Sequence, residues 1–392
     1  MDGRGSTWAA KVTRVLDVTA PETNRPPART DSLPQGLRAR LDDIFPGARV
    51  VTVVALGPDA SSRGGNDEKG LGYGRPLRVG LVLADGAARD LVFHTALPDD
   101  FGHDRRADRA DAMLLAYDSF KLVPNHVAAL DVGAIKRDGS LVPLVDTREF
   151  YLLTSWSEGT LYADDLRRVA ETGIATALDV ARAEKLADYL AELHRGRGSH
   201  EGAYCRAIRD LVGHGEGIAG MADGYPPDTP GAPVVRLEAI EMACLRWRFR
   251  LRGRVERLRR THGDFHPFNL LFAEGTDIAV LDTSRGSEGD PADDVAALTI
   301  NYLFFGLAHE ERWQSGLGVL WERFFTTYLR AFREVDVLEA IAPFYAWRAL
   351  VIASPRWYPN LSAADRDRIL GFAERTLAAN HFDPAVAAEV MR

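Results

Sequence analysis

The spacing of apolar residues divides the chain into a β-rich first part and a helical second part. A polar, proline-containing leader over residues 1–32 precedes a short amphipathic helix predicted over residues 37–44 and a β-branched strand over residues 49–56. Two further runs, residues 77–83 and 89–95, are separated by an Asp-Gly pair, which is typical of a hairpin turn. The pattern predicts a small antiparallel sheet.

Helical spacing returns over residues 104–120, and two more short strands are predicted over residues 127–135 and 149–154. Residues 155–159 then form a crossover, beyond which the pattern is helical. The helices predicted there cover residues 181–194, 235–260, 293–306, 313–333, 337–352 and 363–378.

These elements predict a flexible leader (residues 1–32), a small N-lobe of antiparallel sheet plus helix (33–154) and a helical C-lobe (155–392). Of the 392 residues, 46% are hydrophobic and 27% are charged, as in ordinary globular proteins. A formal charge of -8 argues against a nucleic-acid partner. Two cysteines, and the lack of a signal core or a long apolar run, favour a cytoplasmic protein that does not engage a membrane.

The most specific chemistry lies in HGDFHPFN at residues 262–269, followed by VLD ending at Asp282. Two short apolar runs between Asn269 and Asp282 predict a hairpin whose open end brings these two residues together. Their amide and carboxylate oxygens suit Mg²⁺, while the loop carboxylate of Asp264 can orient an alcohol and accept its proton. This combination predicts a phosphoryl-transfer site.

The form HGDxHxxN, the later LD and GDPADD at residues 289–294 resemble the aminoglycoside phosphotransferase and choline kinase-like family. The resemblance implies an α+β, two-lobed protein-kinase-like fold with a small, β-rich, nucleotide-binding N-lobe and a larger, mainly helical C-lobe. It also implies that Asp264 is the catalytic base and that Asn269 and Asp282 ligate Mg²⁺. Taken singly, HGD is often a plain turn and Asp282 a helix N-cap.

Three further residues would support the catalytic loop by the same resemblance. His262 and His266 would shape the loop, and Asp294 would be a buried acid at a helix start that braces it. Residues 289–294 are also a good helix start in their own right, with a proline and acids in the first turn.

The residues implied for nucleotide binding depart from the family pattern at His94, which stands where the family has a strand lysine. A partner acid is expected in the next helix, where Asp108 or Asp111 is available. A bound phosphate would favour a charged histidine. A surface histidine on an edge strand and a weakened nucleotide site remain alternatives.

Other nucleotide contacts are expected from backbone groups. Gly70, Gly72 and Gly74 lie in a loop suited to cover the phosphates, although a plain flexible hairpin loop fits equally well. Ser155 and Trp156 begin the crossover, where an adenine ring would meet the backbone. No P-loop motif is present.

Acceptor recognition is less clear from the sequence. Glu288 and Asp290 are acids that would suit a substrate amine, and Trp357 is a candidate aromatic wall or a packed turn. The irregular stretch over residues 214–226 is a candidate acceptor loop. The nine arginines over residues 236–260 are interleaved with glutamates, which favours a solvated helix face over a phosphate-binding or nucleic-acid-binding surface.

The predicted function is transfer of the γ-phosphoryl group of ATP or GTP to a hydroxyl of a small molecule, such as an aminoglycoside-like antibiotic, a sugar or an amino alcohol. Mg²⁺ is the expected cofactor, and the protein would be a monomer or homodimer. Because of His94, a nucleotide-binding pseudokinase and a kinase-like nucleotidyltransferase remain alternatives.

Overall fold

A computed structural model describes residues 33–56, 76–99, 102–283 and 285–391. The chain divides into two compact units, Met1–Tyr151 and Leu152–Arg392. The predicted leader and the loop with Gly70, Gly72 and Gly74 lie outside the described residues.

The small unit is built on a three-stranded antiparallel sheet in the order β1 (Arg49–Ala55), β2 (Leu77–Val82) and β3 (Ala88–Phe93). Helix α1 (Gln35–Ile44) packs on one face of this sheet, so the predicted helix, strand and hairpin are confirmed. The buried core of the small unit consists of Leu33, Leu37, Leu41, Val53, Val79 and Leu81.

The remainder of the small unit contains helix α2 (Arg106–Phe120) and a hairpin of β4 (Gly133–Ile135) and β5 (Leu141–Pro143). The strand predicted over residues 149–154 is wrong, because the chain turns back directly after β4. Gly139 adopts φ +83°, and the Lys136 amide donates to the Ser140 carbonyl, so residues 141–143 become the partner strand.

The large unit is mainly helical, and its hydrophobic core is continuous through the helices. Its helices are α3 (Tyr162–Thr172), α4 (Ala177–Arg195), α5 (Glu201–Gly213), α6 (Ile218–Asp223), α7 (Val234–Leu251), α8 (Pro291–Gly306), α9 (Leu317–Ala331), α10 (Ala342–Ala353), α11 (Ala363–Ala378) and α12 (Ala387–Val390). Within the described part of the chain, no helix has the length and apolar character that crossing a membrane requires.

The predicted helices that became α4, α8 and α11 are confirmed, whereas the sequence pattern missed α3, α5 and α6. The helix predicted over residues 337–352 is split. A 3-10 turn at Val337–Glu339 precedes α10, which has Pro343 in its first turn, where proline is best tolerated.

The single long helix predicted over residues 235–260 is also wrong. Helix α7 ends at Leu251, close to Gly253, and a 3-10 turn follows at Val255–Arg257. Strand β7 (Arg259–Arg260) then pairs antiparallel with β10 (Glu288–Gly289). The segment that begins at His262 follows directly after this change of direction.

A second small sheet has the order β6 (Thr160–Leu161), β8 (Leu270–Phe272) and β9 (Ile278–Val280). Strands β8 and β9 form the predicted hairpin, with Leu270 opposite Val280. The loop before β8 and the chain after β9 therefore emerge at the same end of the sheet.

Candidate active site

The end of the β8–β9 hairpin carries the two residues expected to bind metal. The Leu281 amide donates to the Asn269 carbonyl at 2.9 Å, which continues the strand pairing by one step, and Asp282 is the next residue along the chain. A 3-10 turn at Pro267–Asn269 leads into β8, and the His266 ring nitrogen Nδ1 accepts from the Phe268 amide at 3.2 Å to cap it.

Asp294, in the first turn of α8, holds the backbone of the loop at residues 262–269. Its carboxylate is fully buried and accepts from the His262 amide at 2.7 Å and the Gly263 amide at 2.8 Å. The His194 Nε2 lies 3.1 Å from the same carboxylate. Burial opposes ionisation, but these partners outweigh it and hold the pKa of Asp294 below its usual range.

Gly263 is required by the geometry of the loop. Its φ is +82°, and a Cβ at this position would come within 2.9 Å of the Gly286 carbonyl oxygen. The neighbouring His262 is buried, and its Nδ1 accepts from the Asp264 amide at 3.2 Å. Both residues therefore set the direction in which Asp264 leaves the loop.

Asp264 is held by two arginines through one oxygen of its carboxylate. Arg348 Nη1 donates to Oδ1 at 2.6 Å and Arg285 Nη2 donates to the same atom at 2.7 Å. The other oxygen, Oδ2, lies 3.5 Å from His266 Nε2, and the side chain is 19% exposed. Burial would raise the pKa of Asp264, but His266 and the two guanidinium groups outweigh it and hold the pKa well below its usual range.

Arg348 connects this carboxylate to a second one. Its Nη2 lies 3.1 Å from Asp293 Oδ1, so a single guanidinium bridges the catalytic loop and the first turn of α8. Burial raises the pKa of Asp293 to about 6, although Arg348 and Arg285 oppose the rise. Arg285 also donates to the Gly263 carbonyl through Nε and Nη2, at 3.0 and 2.6 Å.

Trp347 lies against both guanidinium groups. The Cζ atoms of Arg285 and Arg348 lie 3.9 and 4.0 Å from its ring centroid. Its Nε1 donates to the Glu216 carbonyl at 2.8 Å, which connects the candidate acceptor loop to the arginines around Asp264.

Sequence reasoning missed Arg285, Asp293, Trp347 and Arg348. One signal was available for Arg348, which is the only charged residue in α10, a helix that is otherwise almost wholly apolar and buried. A charge at such a position needs partners, and these are frequently functional groups.

Asn269 and Asp282 present the oxygen donors that Mg²⁺ prefers. Asn269 Nδ2 donates to the Asp264 carbonyl at 3.0 Å, which directs its amide oxygen away from that contact. Asp282 is exposed and has φ +51°, an unusual conformation that is often found at functional sites. Among the described residues, no group of three or more His, Cys, Asp or Glu side chains could hold a metal.

The position of Asp290 does not support contact with a substrate amine. The residue is 1% exposed, and Arg257 engages both carboxylate oxygens at 2.6 and 3.0 Å. The Tyr204 hydroxyl and the Ala292 amide donate to it as well. A buried carboxylate with these partners holds the start of α8, and the expectation of a substrate role is wrong.

The other two acceptor candidates are more accessible. Glu288 accepts from the Ser199 amide and hydroxyl at 2.8 and 2.9 Å, so its carboxylate already has partners. Trp357 is 53% exposed in the turn after α10, and the Arg356 guanidinium lies 5.4 Å from its ring centroid.

The residues expected to bind nucleotide remain predictions. His94 is exposed directly after β3 in the small unit. Asp108 forms a capping box at the start of α2 and pairs with the Arg105 guanidinium at 2.6 Å. In the large unit, Ser155 and Trp156 lie in an exposed segment, where Trp156 Nε1 donates to Glu158 at 2.8 Å.

Comparison with solved structures finds several kinases of small molecules. A macrolide 2'-phosphotransferase type I is 15% identical, with 88% of this chain and 98% of that chain covered and a TM-score of 0.28. Choline kinase LicA from Streptococcus pneumoniae is 15% identical, with coverages of 87% and 97% and a TM-score of 0.31. Amicoumacin kinase hAmiN, solved with AMP-PNP, Ca²⁺ and Ami, is 12% identical, with coverages of 90% and 96% and a TM-score of 0.35.

No curated protein sequence matches the chain. The model of the phosphotransferase enzyme family, in contrast, matches residues 83–344, which is well over half of the chain. The match spans the catalytic loop and Arg285, and the predicted fold class is confirmed. The chain therefore belongs to the phosphotransferase enzyme family.

Proposed function

We propose that this protein transfers the γ-phosphoryl group of ATP or GTP to a hydroxyl group of a small molecule, with Asp264 as the catalytic base. The observation that supports the proposal is that hydrogen bonds tie the chain segments of Asp264, Asn269 and Asp282 to one another, from Asn269 Nδ2 to the Asp264 carbonyl and from the Leu281 amide to the Asn269 carbonyl. Asp264 leaves a loop pinned by Asp294, and Asn269 and Asp282 flank the open end of the β8–β9 hairpin. Family membership supports the same reaction class.

Asp264 would act mainly by orienting the acceptor. Because its carboxylate stays ionised over the working pH range, it is a weak base toward an unreacted alcohol. In a loose transition state the attacking oxygen becomes strongly acidic only as its bond to phosphorus forms, so a weak base suffices at that late point. Since Oδ1 holds both arginines, Oδ2 is the oxygen that would receive the hydroxyl proton.

Asn269 and Asp282 would hold Mg²⁺, which neutralises phosphate charge and orients the γ-phosphoryl group when it is bound. The hydrogen bond from Asn269 Nδ2 to the Asp264 carbonyl ties this metal ligand to the base. Displacement of one residue would therefore disturb the other.

On the nucleotide side, we propose that His94 contacts the phosphates in place of a lysine. The glycine-rich segment at Gly70, Gly72 and Gly74 would cover the phosphates. The backbone at Ser155 and Trp156 would bind the adenine or guanine ring of the nucleotide. Asp108 would serve by fixing the start of α2 through its capping box. The proposal for His94 predicts weaker nucleotide binding in His94→Ala and retained binding in His94→Lys.

For the acceptor, we propose that the loop around Glu216 lines its site, because Trp347 ties that loop to the arginines on Asp264. Trp357 is a second candidate, as an exposed aromatic surface of the large unit. A screen of hydroxyl-bearing compounds would identify the acceptor class.

The test is a screen of hydroxyl-bearing metabolites and antibiotics for ADP or GDP release, with Asp264→Asn as the blank. Product mass then separates the reactions, since phosphoryl transfer releases the nucleoside diphosphate and nucleotidyl transfer releases pyrophosphate. In parallel, ATP with Mg²⁺ should raise the melting temperature of the wild-type protein but not that of Asp282→Ala. Absence of any shift at millimolar ATP or GTP would contradict the proposed nucleotide site.

A further inference from the structure

The outer face of α7 carries an apolar stripe that stays exposed among the residues that the structure describes. Val235, Met242, Leu245 and Phe249 are 70%, 47%, 37% and 57% exposed, while the opposite side of the helix is buried against the large unit. Their spacing of seven, three and four residues places them along one side of the helix. Such a stripe is typical of a helix that packs against another helix.

The charges beside this stripe are divided between its two halves. Glu238 and Glu241 lie in the first half of α7, and Arg246, Arg248 and Arg252 lie at its second half and end. Three and four residues after each glutamate the sequence has no basic side chain, so pairing along the helix is not available to them. Within the described residues, none of these five side chains forms an ion pair.

This division of charge is self-complementary. If two α7 helices pack antiparallel, the acidic half of each lies against the basic half of the other, and the apolar stripes meet in the middle. With the two-fold axis between Met242 and Leu245, Met242 would pack on the second copy's Leu245. Glu241 would then lie within two residues of the level of the second copy's Arg248, and Glu238 within three residues of the level of its Arg252. These offsets are about 3 and 4.5 Å along the helix axis, which such long side chains span.

We propose that the α7 stripe is a homodimer interface, in which two copies of this chain pair through antiparallel α7 helices. A wholly acidic partner would fit the arginine half but would meet Glu238 and Glu241 with like charge, and a wholly basic partner would have the reverse difficulty. A second copy satisfies both halves at once, because a two-fold interface uses the same surface twice.

Sedimentation equilibrium of the full-length protein tests the interface. The wild-type protein should show twice the 43.1 kDa mass of the chain, and Leu245→Glu should show the single mass with unchanged circular dichroism. A wild-type protein that stays monomeric up to roughly 100 μM would overturn the proposal. A Leu245→Glu protein that dimerises as tightly as the wild type would overturn it as well.

A charge-swap experiment tests the antiparallel arrangement itself. Glu241→Arg alone and Arg248→Glu alone should each weaken dimerisation at least ~10-fold, because each places like charges opposite one another twice. Mixing the two variants should restore a heterodimer of near wild-type affinity, since both pairs are then opposite in sign. Arg330→Glu, at an exposed position of α9, is the matched control and should not change the dimer. A mixture no tighter than the single variants would exclude this pairing.

Discussion

Asp264 and Asp290 are both carboxylates of the large unit bound to arginine, yet the structure uses them differently. Arg257 engages both oxygens of Asp290, and the side chain of this aspartate is wholly inaccessible. Asp264 receives two arginines on a single oxygen and keeps 19% of its side chain exposed. One carboxylate is buried with both oxygens held by arginine, whereas the other is held by arginines through one oxygen and stays partly exposed.

Asp264 and Asp290 differ in the geometry of their contacts rather than in their charge. Burial opposes ionisation in both residues, and in both the arginines and other donors outweigh it, so the pKa of each carboxyl is lowered. A lowered pKa therefore does not identify the catalytic residue. Asp264 differs from Asp290 in that both arginines bind a single one of its oxygens and part of its side chain stays exposed.

The largest effect is expected from Asp264→Asn. The amide keeps the shape of the side chain but cannot accept the hydroxyl proton, so kcat should fall by at least ~10²–10⁴-fold. The free energy of unfolding should change by only about 1 kcal/mol, because the site is partly exposed. Steady-state kinetics and urea unfolding of the same preparation measure both quantities. A variant that retained a tenth of the wild-type kcat would remove Asp264 from the role of base.

The opposite outcome is expected at Asp290. Arg257→Met leaves this carboxylate buried without its counter-charge and should lower the free energy of unfolding by about 3–5 kcal/mol. The kcat of the folded fraction should change far less than in Asp264→Asn. In the double variant Arg257→Met/Asp290→Leu, which removes both charges, part of the stability should return. A double variant as unstable as the sum of two single changes would argue against a specific pair.

Substitution of Arg348 tests whether Asp264 needs both of the arginines that bind it. Arg348→Met removes the bridge between Asp264 and Asp293 and leaves Arg285 as the remaining arginine on the Asp264 carboxylate. The kcat should fall about 10–100-fold because this carboxylate is then misplaced. Arg348→Lys should restore little, because an ammonium group lacks the planar fork that spans two carboxylates.

The matched control for Arg348 is Arg323→Met, which removes only the exposed pair of Arg323 with Glu184 at 3.6 Å. Its kcat should stay within about two-fold of the wild-type value. Stopped-flow or steady-state kinetics with nucleotide titration should show a loss in kcat for Arg348→Met with little change in nucleotide KM. Equal losses in Arg323→Met and Arg348→Met would show that the Arg348 bridge has no particular role.

The sequence was sufficient to predict the segment at residues 262–269 and the hairpin after it, but not the arginines that contact Asp264. HGDxHxxN lies in one continuous segment, and the hairpin after it follows from two apolar runs, so local patterns located Asp264, Asn269 and Asp282. Arg285 and Arg348 reach Asp264 from 21 and 84 residues away, and such pairs are set by tertiary packing. No periodicity encodes that contact.

Asp290 shows the converse error. From the sequence it is one acid among several after Asp282, and its neighbour Glu288 looked equivalent. The difference arises from Arg257, which enters the core only because α7 ends at Leu251 and the chain turns into β7. Extending α7 through residue 260 therefore concealed the partner of Asp290 and made that carboxylate look available to a substrate.

The smallest effect is expected in the stability at acid pH, which should depend on the pair of Asp290 with Arg257. An unfolded aspartate titrates near pH 3.9, and the pKa of Asp290 in the folded protein is lower, so its contribution to stability is complete above about pH 5. As the pH falls below about 4, Asp290 becomes protonated in the unfolded chain but stays ionised in the folded protein. The contribution of Asp290 to the free energy of unfolding is therefore lost. Urea unfolding between pH 5 and 3 should therefore be less pH-dependent in Arg257→Met/Asp290→Leu than in the wild-type protein, by up to ~1.4 kcal/mol per pH unit. Equal slopes in the two proteins would mean that Asp290 titrates alike in the folded and unfolded chain, and the buried pair with Arg257 would not be the acid-sensitive anchor that the structure shows.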